Sequence, residues 1–157
     1  MKLTRNFLIA LFMLILTTAS FAAPVVIRFW HCYDAGIAKQ TIDQLVADFN
    51  KSHEGKIQVE ALGISFWDYW DKLRISIAAG QEPDVFVNDL GDVGMRASSG
   101  ILLDLAPYLK KAGIDANKTF FKSPLDMCRW KTGIYALPFE TDIRLLFYNK
   151  DLFVKAG

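Results

Sequence analysis

The sequence is poor in the residues from which catalytic and metal centres are built. It has two histidines, His31 and His53, and two cysteines, Cys32 and Cys128, in 157 residues. His53 lies in a polar turn, and His31 lacks a serine or cysteine at a spacing diagnostic of nucleophilic catalysis. The cysteines form neither a CxxC pair nor a zinc pattern. GxGxxG, phosphate-loop, HExxH and EF-hand patterns are missing. Asp89 and Asp92 stand three apart in one loop, so they do not flank a bond as glycosidase carboxylates must. No catalytic residue, cofactor or metal is therefore assigned. An excess of one charge is missing too: 18 basic and 17 acidic residues leave +1. That gives no electrostatic footing for nucleic acid or anionic lipid. Internal repeats and low-complexity stretches are also lacking.

A membrane-spanning run is lacking as well, although an apolar segment opens the chain. Residues 7–16 carry no charge and follow the basic Lys2 and Arg5. Ten apolar residues fall well short of the roughly 20 needed to cross a bilayer. Ser20 and Ala22 supply the small residues at −3 and −1 that a signal peptidase needs. The expectation is a signal peptide over 1–22, cut after Ala22, and a periplasmic or secreted product. No cysteine near the cut supplies a lipobox. Cleavage would remove two basic residues and no acidic one, leaving 16 basic against 17 acidic. In an oxidising compartment Cys32 and Cys128 are read as two buried thiols, with a disulfide as the alternative.

Beyond residue 22 the pattern alternates between strand and helix. Residues 25–30 are β-branched and aromatic, as a buried strand is. Ala38, Ile42, Leu45, Val46 and Phe49 recur at helical spacing. Residues 56–62 alternate with period two, predicting a strand. Ser65 is a candidate N-cap for a helix whose inner side is Phe66, Trp70, Leu73 and Ile77, stopped by Gly80. Residues 84–87 predict a short strand. Helices are expected over 91–99 and 105–112, ended by Gly100 and Gly113, and over 119–131, with Pro124 near an N-terminus. Residues 133–138 and 143–148 read as strands, and 151–156 as the beginning of a helix. Such βαβ units predict an α/β fold: a three-layer, mostly parallel sheet with helices on both faces.

Ligands in such sheets bind beyond the carboxyl ends of the strands. The loops 30–34, 63–68, 88–92 and 139–142 fall there. They carry aromatic rings and carboxylates, which stack on the CH face of a sugar and bond its hydroxyls. An anion would instead want arginine, lysine and helix N-termini. His31, Tyr33, Asp34, Trp67, Asn88, Asp89, Glu140 and Asp142 are the candidate ligand-binding residues. Each also has a structural reading: a hydrogen-bonded histidine at a strand end for His31, and helix packing for Trp67. Trp70 is read as core, and Asp68 as either a ligand or a helix-start carboxylate.

Five blocks carry a resemblance: residues 28–31 (RFWH), 78–87 (AAGQEPDVFV), 100–105 (GILLDL), 135–139 (YALPF) and 148–153 (YNKDLF). In that order they resemble the maltose-binding-protein-like family 1 extracellular solute-binding proteins. The resemblance implies the first lobe of a type II periplasmic-binding-protein fold, with a sugar or oligosaccharide clamped between two lobes. It also implies delivery to the permease subunits of an ABC importer by a protein that is monomeric at full length. Residues 31–34, Asn88, Asp89 and Asp142 stand where that family contacts its sugar. Family members run to about four hundred residues, so 23–157 is expected to be an incomplete N-terminal lobe with the second lobe absent. An extracytoplasmic carbohydrate-active enzyme lobe or a carbohydrate adhesion module is the alternative.

Overall fold

The computed structural model describes residues 23–140 and 145–157. The expected signal peptide, residues 1–22, lies outside the described residues. The chain divides into two units, Met1–Phe86 and Val87–Gly157.

The first unit is built on a parallel sheet. Strand β1 (Val25–His31) is central, flanked by β2 (Ile57–Gly63) and by the two-residue β3 (Val85–Phe86). The β1–β2 register runs from Val25↔Ile57 to His31↔Gly63, and Phe29↔Val85 and Trp30↔Phe86 pair on the other side. Helix α1 (Gly36–Ser52) links β1 to β2, and α2 (Phe66–Ala78) links β2 to β3. The two crossings move in opposite directions across the sheet, so right-handed connections put their helices on opposite faces. Ion pairing of Lys39 with Asp43 at 2.5 Å supports α1 one turn apart. The Asn50 amide accepts from Val59 N–H at 2.7 Å and donates to Val59 C=O at 3.0 Å. It thereby satisfies peptide groups on the edge of β2 that no strand pairs among the described residues.

The core of this unit holds Cys32, Ile42, Ile64, Tyr69, Leu73 and His31. The inner side of α2 is therefore centred on Tyr69 and Leu73, while Phe66, expected inside, is exposed. The Tyr69 hydroxyl donates to the Trp30 carbonyl at 3.2 Å, so the ring is buried without orphaning its polar end. Ser65 is the N-cap as expected, but its hydroxyl donates to Asp68 Oδ2 at 2.6 Å rather than receiving a backbone N–H. Gly80, at φ +64, closes α2. Its N–H reaches Ile77 C=O at 3.1 Å and that of Gln81 reaches Ser76 C=O at 2.8 Å, the double bond of a left-handed C-cap.

The blocks 28–31 and 82–86 meet in this sheet. Asp84 Oδ2 accepts from the Arg28 backbone N–H at 2.8 Å and from Arg28 Nε at 3.4 Å. The guanidinium also donates to the Glu82 carbonyl at 2.9 Å. The backbone N–H of Arg28 holds the Asp84 carboxyl below the usual range, with the guanidinium acting in the same direction.

The second unit opens with a 3-10 turn (Leu90–Asp92) running into α3 (Val93–Ser98), followed by α4 (Ala106–Lys111). Gly100 and Gly113 follow these helices at positive φ, where the sequence placed their ends. The helix expected over 119–131 is broken into α5 (Ala116–Thr119) and α6 (Lys122–Met127). Phe120 and Phe121 between them are extended, and Pro124 sits in the first turn of α6, where a missing N–H costs little. The expected strand 133–138 shrinks to β5 (Gly133–Ile134), paired antiparallel with β4 (Arg129–Trp130). Lys131, at φ +52, makes the tight reversal between them and lays its ammonium 4.2 Å from the Trp130 ring centroid. The parallel pattern therefore does not continue here.

Leu109, Ala116, Leu125 and Ile134 form the core cluster of this unit. Asp104 Oδ1 pins it by accepting from Ala106 N–H at 3.0 Å and Ile134 N–H at 3.1 Å. Cys128 is buried, which pushes its thiol up. Both cysteines are thiols, as expected, and no bridge joins them. The expected strand 143–148 is not formed over its described part. Residues 145–148 belong to neither sheet, and Ile143 and Arg144 lie outside the described residues. Helix α7 (Lys150–Ala156) follows.

Candidate functional site

In the first unit, four expected ligand-binding residues stand at the carboxyl ends of β1 and β2. His31 is the last residue of β1, and its carbonyl accepts from Ile64 N–H at 2.9 Å, tying the two following loops together. The His31 side chain is 1% exposed. Its Nδ1 accepts from Tyr33 N–H at 3.4 Å, and the Tyr33 ring stacks beside it at 6.2 Å. With Nδ1 accepting, the proton sits on Nε2. Nε2 has no hydrogen-bond partner among the described residues. Burial lowers the His31 pKa below 6.5, the Asp43 carboxylate raises it and the Lys39 ammonium lowers it.

Asp34 is exposed beside this pair. Trp67 is the second residue of α2 and is 84% exposed, its ring edge-on to Phe66 at 5.4 Å. The two rings form an open aromatic step. Trp70 packs edge-on to Phe66 at 5.8 Å and Tyr69 at 4.9 Å, which makes it a half-buried packing residue. Asp68 is engaged by Ser65 at the helix start.

In the second unit, Asn88 and Asp89 stand two and three residues after the end of β3. Asp89 caps the 3-10 turn, its Oδ1 accepting from Gly91 N–H at 2.8 Å. Asn88 Oδ1 accepts from Arg96 Nη1. Arg96, which the periodicity did not single out, is 3% exposed and ion-paired to Asp92 at 2.9 Å. The i,i+4 spacing of Asp92 and Arg96 on a short helix was the available signal. Glu140 is exposed, and Asp142 lies outside the described residues. The shallow depression lined by Ile37, Gln40, Thr41, Gln44 and Leu45 runs along α1. Among the described residues no cluster of His, Cys, Asp and Glu could hold a metal, and no helix is long and apolar enough to cross a membrane.

Comparison with known proteins places this architecture. The profile of the bacterial extracellular solute-binding protein matches residues 35–157. The chain belongs to the bacterial extracellular solute-binding protein family. The sn-glycerol-3-phosphate-binding periplasmic protein of Pectobacterium atrosepticum is 30% identical over 149 residues, covering 90% of this chain and 32% of the relative. Among solved structures, an ABC transporter solute-binding protein of Thermotoga lettingae, bound with α-D-tagatose, aligns with a TM-score of 0.68 at 30% identity. The sugar-binding protein MalE of Xanthomonas citri gives 0.67 at 30% identity. Both alignments cover 85% of this chain and 33% of the other. The chain thus spans about a third of the length of the relatives it matches.

The α/β fold of this solute-binding family member is one lobe of the type II periplasmic-binding-protein architecture, as the sequence blocks implied.

Proposed function

We propose that this chain is part of the solute-binding subunit of an ABC importer, acting outside the cytoplasm as a periplasmic or secreted protein. It binds a sugar or oligosaccharide between two lobes and delivers it to permease subunits in the membrane. The observation that carries this reading is the family match over 35–157. The strand-end loops of the matched fold carry an open aromatic step and hydrogen-bonding side chains. In this reading Trp67 stacks on the ligand, and His31, Tyr33, Asp34, Asn88, Asp89, Glu140 and Asp142 bond its hydroxyls. The role is binding rather than catalysis, supported by relatives named as binding proteins.

A neutral polyhydroxylated ligand fits these loops better than a phosphate ester. Asp34, Asp89, Asp92 and Glu140 are acidic, and the charge of Arg96 is offset by Asp92. A thermal-shift screen of the full-length protein tests this against maltotriose, α-D-tagatose and sn-glycerol 3-phosphate. A rise in melting temperature with a neutral sugar is expected. A response to glycerol phosphate alone would assign the other ligand class, and silence across the sugars would sink the sugar reading.

A further inference from the structure

We infer that Arg96 is a positioning residue: its buried guanidinium sets the side-chain amide of Asn88 so that the NH2 end serves as donor to an oxygen of the bound solute. This rests on the placement of Asn88 in the solute site proposed above. Arg96 projects from α3 and is engaged on two sides. Nη2 meets Asp92 Oδ2 at 2.9 Å, and Nη1 donates to Asn88 Oδ1. Asn88 Nδ2 is shielded from solvent and has no hydrogen-bond partner among the described residues.

A carboxamide has nearly the same shape in two orientations, with its oxygen and nitrogen exchanged. The guanidinium distinguishes them, because it has only donors to offer. With Oδ1 toward Arg96 a donor meets an acceptor; reversed, two donors would face each other. The nitrogen is left with hydrogens that nothing among the described residues accepts, and a shielded, unused donor calls for an explanation. A solute oxygen supplies one. Asp92 offsets the guanidinium charge, so Asn88 presents a dipole rather than a cation. That suits a hydroxyl or ring oxygen of a neutral sugar.

A double-mutant cycle in the full-length protein tests this, with maltotriose and α-D-tagatose titrated by calorimetry against wild type, Asn88→Ala, Arg96→Lys and the double variant. Lysine keeps a charge near Asp92 but lacks the planar fork that reaches Asn88 as well. Each single variant is expected to weaken sugar binding roughly tenfold, and the double variant no further than Asn88→Ala alone. A merely structural role for Arg96 would make the losses multiply, which overturns the inference. So does an unchanged affinity in Arg96→Lys beside a weakened Asn88→Ala, and that result leaves the site reading intact. An unaffected Asn88→Ala, or no titratable sugar, defeats the site reading and this inference with it. Should Arg96→Lys fail to fold by circular dichroism, Asp92→Asn loosens the guanidinium from its other anchor and enters the same cycle.

Discussion

Gly63 pairs with His31 across the β1–β2 ladder, and a Cβ there would lie 2.8 Å from the Tyr33 carbonyl oxygen and 2.9 Å from His31 Cε1. Backbone cannot yield as a flexible side-chain tip can, so Gly63→Ala must push residues 31–34 away from the sheet. A cost of about 1–3 kcal/mol is expected in denaturant unfolding, the range for overpacking. An unchanged midpoint would show that the loop yields freely. His31 makes a second prediction. Its folded pKa lies below the unfolded 6.5 because burial disfavours the cation. The unfolded chain then binds more protons between the two values, so stability is full above about pH 6.5 and declines below it. His31→Asn, which cannot titrate, should lose that part of the decline. Melting curves from pH 7.5 to 5 that fall in parallel for both proteins would contradict it.

At the scale of elements, the block 148–153 is a helix start written in full. Asn149 Oδ1 accepts from the N–H groups of Asp151 at 3.0 Å and Leu152 at 3.1 Å. Tyr148 and Phe153, flanking the cap, bring their rings to 5.1 Å. The pair is a hydrophobic staple between the residue before the cap and the fourth helical residue. Asp151 adds a carboxylate in the first turn. Asn149→Ala should cost α7 about 1 kcal/mol, read as severalfold faster hydrogen exchange at the Asp151 and Leu152 amides, with global unfolding little changed. Unaltered exchange would show that the staple alone starts the helix. The link between Asp84 and Arg28 is tested likewise. The Asp84 carboxyl is depressed in the fold, so its contribution stands above pH 3.8 and is lost as pH falls through the lower folded value. Asp84→Ala should therefore destabilise at pH 7 by about 1 kcal/mol and by less at pH 3.

These elements also mark what periodicity can and cannot tell. Residues 25–80 follow one rule, apolar spacing plus glycine stops, and their two strands and two helices emerged within a few residues of the expected ends. On α2 Leu73 is inside as expected, but Tyr69 was missed because tyrosine reads as amphipathic; the Trp30 carbonyl, distant in sequence, takes its hydroxyl and makes it a core residue. Arg96 was invisible for a similar reason: an arginine in a polar stretch reads as solvent-facing until Asp92 and Asn88 are seen to enclose it. The strand ends, by contrast, were legible, because βαβ topology fixes where loops gather. That is why periodicity alone puts His31, Tyr33, Asp34, Trp67, Asn88 and Asp89 in loops at or soon after strand ends.

For the whole molecule, the question is what the apolar surface of the second unit does. Strand propensity at 145–148 was read correctly as chemistry and wrongly as structure, because a strand also needs a neighbour to accept its peptide hydrogen bonds. The side chains instead stand in solvent: Leu146 is 90% and Phe147 87% exposed, with Leu145 and Tyr148 beside them. Leu152, Phe153 and Val154 of α7 are exposed as well. Single exposed apolar residues are ordinary, but a consecutive exposed apolar run that joins neither sheet among the described residues is a template for association. The 157-residue chain by itself is therefore expected to self-associate as its concentration rises, seen as growing mass in sedimentation equilibrium. Leu146→Lys combined with Phe147→Glu should shift it back toward the monomer without changing its circular dichroism, since neither side chain is packed. A wild-type chain that stays monomeric, or a double variant that associates as strongly, would place the sticky surface elsewhere.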